Sequence, residues 1–445
     1  LSLHDALPIL PANSGELRRL LVLEGPQGGA PVRAAREYAA RAETAARYGA
    51  CWRLDASSEI ELCQDLRRLG ALVLPELRAV DNVADAARTT LRLVERWQHG
   101  RLLLLFEDTR DRRLLEAWLP RTGADIIASS SIRGLVPATV QRMEVQRLGR
   151  KEAAEWLAAE SGRDDLSFEA AASFVDQVDR HPTALDVAAR MLRENFLLGP
   201  DEIARAYGMH ANDDLVAVRV MTENLVKQAR VPREDAERVI GILSWVGGRE
   251  LAFEDLQRGW SDPAVKPATS ELVRLRLIDR DQTNLALDGA VRVLGPQALD
   301  PSGAARPNVR IAIADLQAKA EGGAAHESRL SSLVTRYAIN VVDTNVLAGD
   351  WDILDAAATA LHLQGMHVQA AELLQAMAEF ALDEEPADLV SAASVLANEA
   401  SVWSAAGEAE RALAAISKAR WAGAGLLDTD ALSHLDLVEG SAYLA

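Results

Sequence analysis

LVLEGPQGGAPVRAAREYAA, from Leu21 to Ala40, sets out a strand, a glycine-rich turn and a helix in that order. The apolar run stops at glycines, as a buried strand does, and an alanine-rich run follows. This is the layout of a loop that cradles phosphate. In such a loop backbone N–H groups converge at the positive end of a helix. A lysine reaches the terminal phosphates, and a Ser or Thr hydroxyl holds Mg²⁺. Gly25, Gly28 and Gly29 supply the tight turn and the close backbone approach. The side chains after them do not suit the task. Pro31 stands where the lysine belongs and brings neither charge nor N–H, and Val32 has no hydroxyl. Charge-assisted hydrogen bonds are worth about 1.5–3 kcal/mol each, so the two losses weaken phosphate binding by roughly 10²–10⁴. Arg33 or Arg36 can partly replace the cation, although neither holds its usual place. The plainer alternative is a strand-to-helix turn with Pro31 at the first helical position, where proline is comfortable.

Outward from this stretch the chain alternates strands and helices. CWRL, Cys51 to Leu54, and RLLLLFED, Arg101 to Asp108, read as strands, as does ADIIASS, Ala124 to Ser130. LCQDLRRLGALV and DNVADAARTTLRLVERWQ have helical spacing. Strands alternating with helices predict a parallel sheet covered on both faces. After Gly149 the pattern is helical, in KEAAEWLAAESG and SFEAAASFVDQVDRHPTALDVAARML. From Asp213 to Asp300, helices such as AERVIGILSWVGG and SELVRLRLI precede a polar turn and the strand-like NLALD. Helices closed by a small hairpin predict a winged helix. PSGAARP, Pro301 to Pro307, reads as a linker. Beyond it LDAAATALHLQGMHVQAAELLQAMAEF is echoed by VLANEASVWSAAGEAERALAAISKARW, with Gly365 on Gly407 and Ala370 on Ala412. Such an echo predicts stacked helical pairs with a shared core.

The 445 residues suggest about three domains. A net charge of −18 makes the chain a poor candidate for wrapping nucleic acid or binding an anionic membrane. Cys51 and Cys63 are too few for a disulfide scaffold, which fits a reducing, cytoplasmic setting. The eight histidines lack zinc-type spacing, and a metal role for His362 and His367 is the minor reading. No apolar run reaches the ~20 residues of a membrane span. LSLHDALPI, Leu1 to Ile9, contains what a common sequencing-adapter oligonucleotide encodes, so it is set aside as a cloning scar; both natural ends are expected to be missing. Trp403 and Trp421 are expected in the core of helical pairs, and DEEP, Asp383 to Pro386, ends a helix.

Taken in order, these parts resemble the NB-ARC type of STAND ATPases, the signal-transduction P-loop family. Its members carry a strand, a GxxGxGKT loop and a helix. Gly25 and Gly28 fit that loop, while Ala30, Pro31 and Val32 stand where Gly, Lys and Thr are expected. EYA, Glu37 to Ala39, and Trp52 fall at spacings usual in bacterial members. LLLFEDTRD is similar to the second acidic motif, with Glu107 at the Mg²⁺-linked acid and Asp108 beside it. LPRTGADIIASSSI is similar to the segment that ends in TSRN. Ser129 and Ser130 match its polar start, and Ser131 replaces its arginine. RHPTALDVAA resembles the GLPLAL motif, whose proline, here Pro182, packs near adenine in the family. Asp288 lies about where many members have a nucleotide-sensing histidine. The resemblance runs from about Leu20 to Leu299, plus a repeat array.

The resemblance implies a multidomain α/β plus all-α chain. It comprises a P-loop NTPase-like parallel-sheet domain over 10–145, a helical domain over 146–206 and a winged helix over 207–300. A linker over 301–322 and a TPR-like α-solenoid over 323–445 follow. It implies a switch that closes around ATP or ADP while the repeats sense a protein partner. The implied nucleotide contacts are Gly25, Gly28, Gly29, Pro31, Val32, Arg33, Glu107, Asp108, Ser129 and Pro182. Missing lysine, hydroxyl and arginine remove positioned charge from the terminal phosphate. The expectation is therefore a regulatory protein with hydrolysis lost, ATP or ADP binding weak or absent, and Mg²⁺ only where nucleotide binds. Glu107 and Asp108, without a facing lysine, are expected to repel phosphate or to need a metal. Oligomerisation is left open. Two alternatives stand beside this: an active ATPase switch with a substitute cation, Arg33 or one from a partner chain, and a DNA-binding regulator acting through the winged helix. RLRLIDRDQTNLALD has mixed charge and speaks against the latter.

Overall fold

The computed structural model describes residues 19–25, 30–44, 48–80, 82–98, 100–137, 140–177, 180, 182–194, 199, 203, 214–248, 251–260, 263–280, 284–292, 294–320, 324–347, 349–384, 387–427 and 429–444. The segment LSLHDALPI and the loop glycines Gly28 and Gly29 lie outside these residues. The chain divides into two compact units. One spans Leu1–Arg230, Leu275–Leu277 and Asp288–Leu294; the other spans Val231–Arg274, Ile278–Leu287 and Gly295–Ala445.

Five parallel strands build the first unit: β1 (Arg19–Glu24), β2 (Ala50–Asp55), β3 (Leu102–Glu107), β4 (Ala124–Ser130) and β5 (Gln141–Glu144). Their spatial order is β2-β3-β4-β1-β5. Leu102 to Phe106 are all buried, the continuous apolar run of a strand covered on both faces. Helix α1 (Ala30–Thr44) lays Ala34, Ala35 and Ala39 on Leu21, Leu23, Leu103, Leu105 and Ile127. Alanines on that stripe let the helix approach the sheet closely. Helices α2 (Glu59–Val73) and α3 (Val83–Glu95) follow β2, each opened by a side-chain cap, Ser58 and Asn82. Helix α4 (Arg112–Trp118) separates β3 from β4. Before β4, Gly123 has φ +87°, and an added Cβ would lie 1.9 Å from the Val94 carbonyl oxygen. Only glycine fits there.

After β5 come α5 (Arg150–Ser161), α6 (Phe168–Gln177), α7 (Pro182–Glu194) and α8 (Asp214–Val226). The helical stretch from Ser167 to Leu192 holds two helices, with Arg180 between them at φ +57°. Helix α8 packs on α7 and belongs to the first unit. The expected boundary at residues 206 and 207 is thus displaced, because α8 buries Val218, Met221 and Leu225 there.

The second unit begins with α9 (Arg233–Trp245), β6 (Leu251–Ala252), α10 (Phe253–Gly259), α11 (Val265–Arg274), β7 (Ile278–Arg280) and β8 (Asn284–Leu287). The three strands form an antiparallel sheet in the order β6-β8-β7. Helix α12 (Gly289–Arg292) lies in the first unit and α13 (Gly295–Leu299) in the second. The stretch 301–322 is not a linker: α14 (Arg306–Ala320) fills most of it. Pro307 sits in the first turn, where its missing N–H costs no helical bond. Val309, Ala312, Ile313 and Leu316 give the helix a buried face, and Asn308 Nδ2 donates to the Gly259 carbonyl at 2.8 Å.

Then follow α15 (Ala324–Asp343), α16 (Trp351–Leu363), α17 (His367–Asp383), α18 (Leu389–Ala405), α19 (Ala409–Ala422) and α20 (Thr429–Leu444), each packed on its neighbours in sequence. The echo read in the sequence has the same turn twice. Gly365 and Gly407 have φ +78° and +76°. Met366 N–H donates to Leu361 O at 2.9 Å, and Glu408 N–H to Trp403 O at 3.0 Å. Ala370 and Ala412 are both fully buried. Trp403 is in the core as expected, but Trp421 is not: it is 70% exposed, on the face of α19 away from Ala412, Ala415 and Ala419. No helix is long and apolar enough to cross a membrane among the described residues.

Candidate functional site

The strand order places the candidate site. The chain leaves β1 towards β2 on one side of the sheet, whereas from β4 it passes β1 to reach β5 on the other. Neighbouring connections diverge there, and in parallel sheets ligands bind in such a crevice beyond the carboxyl ends of the strands. Register brings Glu24 of β1 beside Ser130 of β4, and Asp55 of β2 beside Glu107 of β3. Gly25 N–H donates to the Ser130 carbonyl at 3.2 Å, and Val145 N–H to the Glu24 carbonyl at 2.7 Å. Gly25, Glu107, Asp108 and Ser129 are therefore gathered at the carboxyl end of one sheet.

The contacts of the described residues there are made within the chain. Helix α1 starts at Ala30, one residue earlier than the proline-first reading, so Pro31 is its second residue. The Pro31 ring is buried. An added Cβ on Gly25 would lie 3.0 Å from Pro31 Cγ and 3.3 Å from Val145 Cβ. Hydrocarbon thus packs on the glycine at the mouth of the loop. Val32 is half-buried. Arg33 turns to the helices: its guanidinium lies 5.2 Å from the centroid of the Trp156 ring on α5, a cation–π arrangement. Its charge also acts on Asp186 of α7.

The acids are not unopposed, which corrects the expectation drawn from the missing lysine. Arg36, two turns into α1, donates through Nε to Glu107 Oε1 at 2.8 Å and through Nη2 to Oε2 at 2.6 Å. The planar fork matches the carboxylate in both bonds. Asp108 accepts from Arg110 Nη2 at 2.8 Å. It adopts φ +58°, uncommon for a residue other than glycine, and its N–H donates to Ser129 Oγ at 3.2 Å. Ser129 and Ser130 are buried. Thr109 N–H donates to the Ser129 carbonyl and Ser130 Oγ to the Thr109 carbonyl, both at 2.7 Å. These serines fix the loop after β3.

A third arginine, absent from the expected contacts, joins the group. Burial pushes the Arg292 guanidinium of α12 below its ordinary pKa. Asp108 and Glu107 oppose that shift, and Arg36 and Arg110 reinforce it. Nothing in the sequence marks Arg292, because its segment returns to the first unit only after the β7–β8 hairpin. Asp288 is held by Arg190 of α7, which is 7% exposed. Arg190 Nη2 donates to Asp288 Oδ1 at 3.0 Å; it also pairs with Asp186 and with the Arg276 carbonyl. Burial raises the Asp186 carboxyl above the usual range, Arg190 counteracts this, and Asp288 adds to it. Pro182 begins α7.

Position 31 is a buried ring, and Glu107 and Asp108 are each engaged by an arginine of the chain. Among the described residues no group of three or more His, Cys, Asp or Glu is arranged to hold a metal.

No protein-family model matches the chain, and no curated protein matches it. Solved structures with some likeness include a signal transduction ATPase with numerous domains, carrying a tetratricopeptide repeat sensor, from Pyrococcus horikoshii. It is 12% identical, with a TM-score of 0.45, over 98% of this chain and 68% of that one. The Aeropyrum pernix ORC1 protein, solved in complex with DNA, is 14% identical with a TM-score of 0.27, over 65% of this chain and 88% of that one. At these identities and scores neither likeness assigns a family or an activity to this chain.

Proposed function

We propose that this chain is a regulatory protein of the STAND, NB-ARC-like type whose nucleotide site is degenerate and no longer hydrolyses ATP. The bidentate Arg36–Glu107 pair carries this reading. It puts a positive charge on the acid at the end of β3 from within the chain, where a working site keeps that acid for a metal ion. Buried Pro31 supports the same conclusion from the other side of the crevice. ATP or ADP binding is accordingly weak or absent. The β6-β8-β7 sheet with α9, α10 and α11 is read as a winged helix, and α16 to α20 as TPR-like repeats that dock a protein partner. The Arg33 alternative loses ground because that guanidinium lies over Trp156.

Acid extraction of the purified chain for co-purified ADP or ATP, followed by calorimetric titration with Mg·ATP, tests the proposal. The expected result is no stoichiometric nucleotide and no tight isotherm. A nucleotide recovered at one per chain overturns it. Retention on random duplex DNA at moderate salt would replace it with the DNA-binding reading.

A further inference from the structure

Two imidazoles meet at the turn between α16 and α17. His362 lies in the last turn of α16 and His367 opens α17. Their Nδ1 atoms are 3.1 Å apart. The ring centroids are separated by 4.9 Å and the planes inclined at 56°. Both side chains are half-buried. The backbone that carries them is tightly fixed: Gly365 takes φ +78°, its N–H donates to His362 O at 3.0 Å, and Met366 N–H donates to Leu361 O at 2.9 Å. Met366 itself is 1% exposed between the two rings in sequence.

We propose that His362 and His367 form a two-nitrogen chelate for a divalent transition-metal ion of the zinc, nickel and copper class. Imidazole nitrogens bind such ions at about 2.0–2.1 Å, so two of them on one ion, at angles between square and tetrahedral, stand about 2.9–3.4 Å apart. The observed separation falls inside that range. Chelation requires both Nδ1 lone pairs to face the ion, with each neutral ring carrying its proton on Nε2. That is a tautomer change with no net release of protons. Imidazole donors suit zinc, nickel and copper rather than magnesium or calcium, and copper binds most tightly of the series. With only two protein ligands of this kind, water or a donor from a partner completes the coordination. Because the ligands sit on two helices, the ion staples the α16–α17 pair and stabilises only its folded form.

The test uses the full chain at neutral pH. Cu²⁺, Ni²⁺ and Zn²⁺ are titrated by calorimetry, and the Cu²⁺ complex is examined by electron paramagnetic resonance. One site with two nitrogen couplings is expected. Its affinity should fall about tenfold or more in His362→Ala and equally in His367→Ala, with no further loss in the double variant. His434→Ala, an exposed histidine beside Ser401, should leave it unchanged. Zn²⁺ should raise the melting temperature of the wild type and not of the double variant. His362→Asn and His367→Asn, which keep a polar side chain at the turn, provide the comparison where an alanine variant melts early. No ion uptake by the intact chain, or the same isotherm and the same thermal shift in the double variant, overturns the proposal and leaves a hydrogen-bonded pair of rings.

Discussion

On the proposed reading, Pro31 leaves the crevice without a cation and an N–H donor and takes up space, since its ring rests on Gly25. Restoring the motif should reverse much of this. Pro31→Lys with Val32→Thr adds back two charge-assisted contacts of about 1.5–3 kcal/mol each, so Mg·ATP affinity should rise by roughly 10²–10⁴. Calorimetry of the double variant against the wild type measures this, and equal weakness would show that the Arg36–Glu107 pair alone closes the site. A second residue-scale expectation concerns Glu399 of α18, which is 5% exposed. Burial raises its carboxyl above the ordinary range; the Trp403 N–H and Lys418 act in the opposite sense, and Glu379 adds to the rise. A raised folded-state value means that the folded chain keeps its proton where the unfolded chain has lost it. Stability is then full below the ordinary glutamate range and falls as pH climbs through the raised value. Glu399→Gln still accepts from Trp403 Nε1, which stands 3.0 Å from Oε1. The variant should flatten that fall, gaining stability at neutral pH and none in acid. Melts across pH would show an unchanged slope if the idea is wrong. The strand-to-helix turn between Gly25 and Pro31 was legible because its two sides are neighbours in the sequence. The Arg36–Glu107 pair was not, since 71 positions separate its members and only the strand order brings them together.

Among elements, α7 is tied to the chain on both sides of the hairpin by one side chain. Arg190 meets Asp186 on its own helix, Asp288 after β8 and the Arg276 carbonyl before β7. Removing one partner from a buried ion group leaves uncompensated charge, at a cost of about 3–5 kcal/mol. Arg190→Ala should therefore lower the unfolding free energy of the first unit by roughly that amount. Asp288→Ala in the same background should cost little more, because the pair is already broken. Denaturant titration of the single and double variants checks both statements, and additive losses would contradict them. The central strand β3 was legible because a parallel sheet makes it a continuous apolar run, Leu102 to Phe106; β5 was not, because three of its four residues, Gln141, Arg142 and Glu144, are polar and exposed. Helix α14 was not, because Pro301, Gly303 and Pro307 read as a linker until the buried stripe of Val309, Ala312, Ile313 and Leu316 is counted. Trp421 misled for the opposite reason: its type suggests burial, whereas the alanines of α19 take the packed face.

At the scale of the molecule, two compact units have their own cores and their own buried charges. In the second unit Asp350 is 1% exposed. It pairs with Arg306 and Arg310 of α14 and accepts from the Tyr337 hydroxyl of α15 at 2.9 Å. That cluster joins three successive helices through a single carboxylate, much as Arg190 joins three segments of the first unit. Burial raises the Tyr337 hydroxyl above its ordinary value, the Arg306 hydrogen bond opposes this, and Asp350 reinforces it, so the group stays protonated and remains a donor. Chains with separate cores need not unfold in one step. Calorimetric melting should show at least two transitions. Arg190→Ala should move one of them and Asp350→Asn the other, each by several degrees, with the second transition of each variant held at its wild-type position. A single transition shifted by both substitutions would mean that the two units unfold as one cooperative body, and that a change at the crevice is felt energetically as far as the repeats.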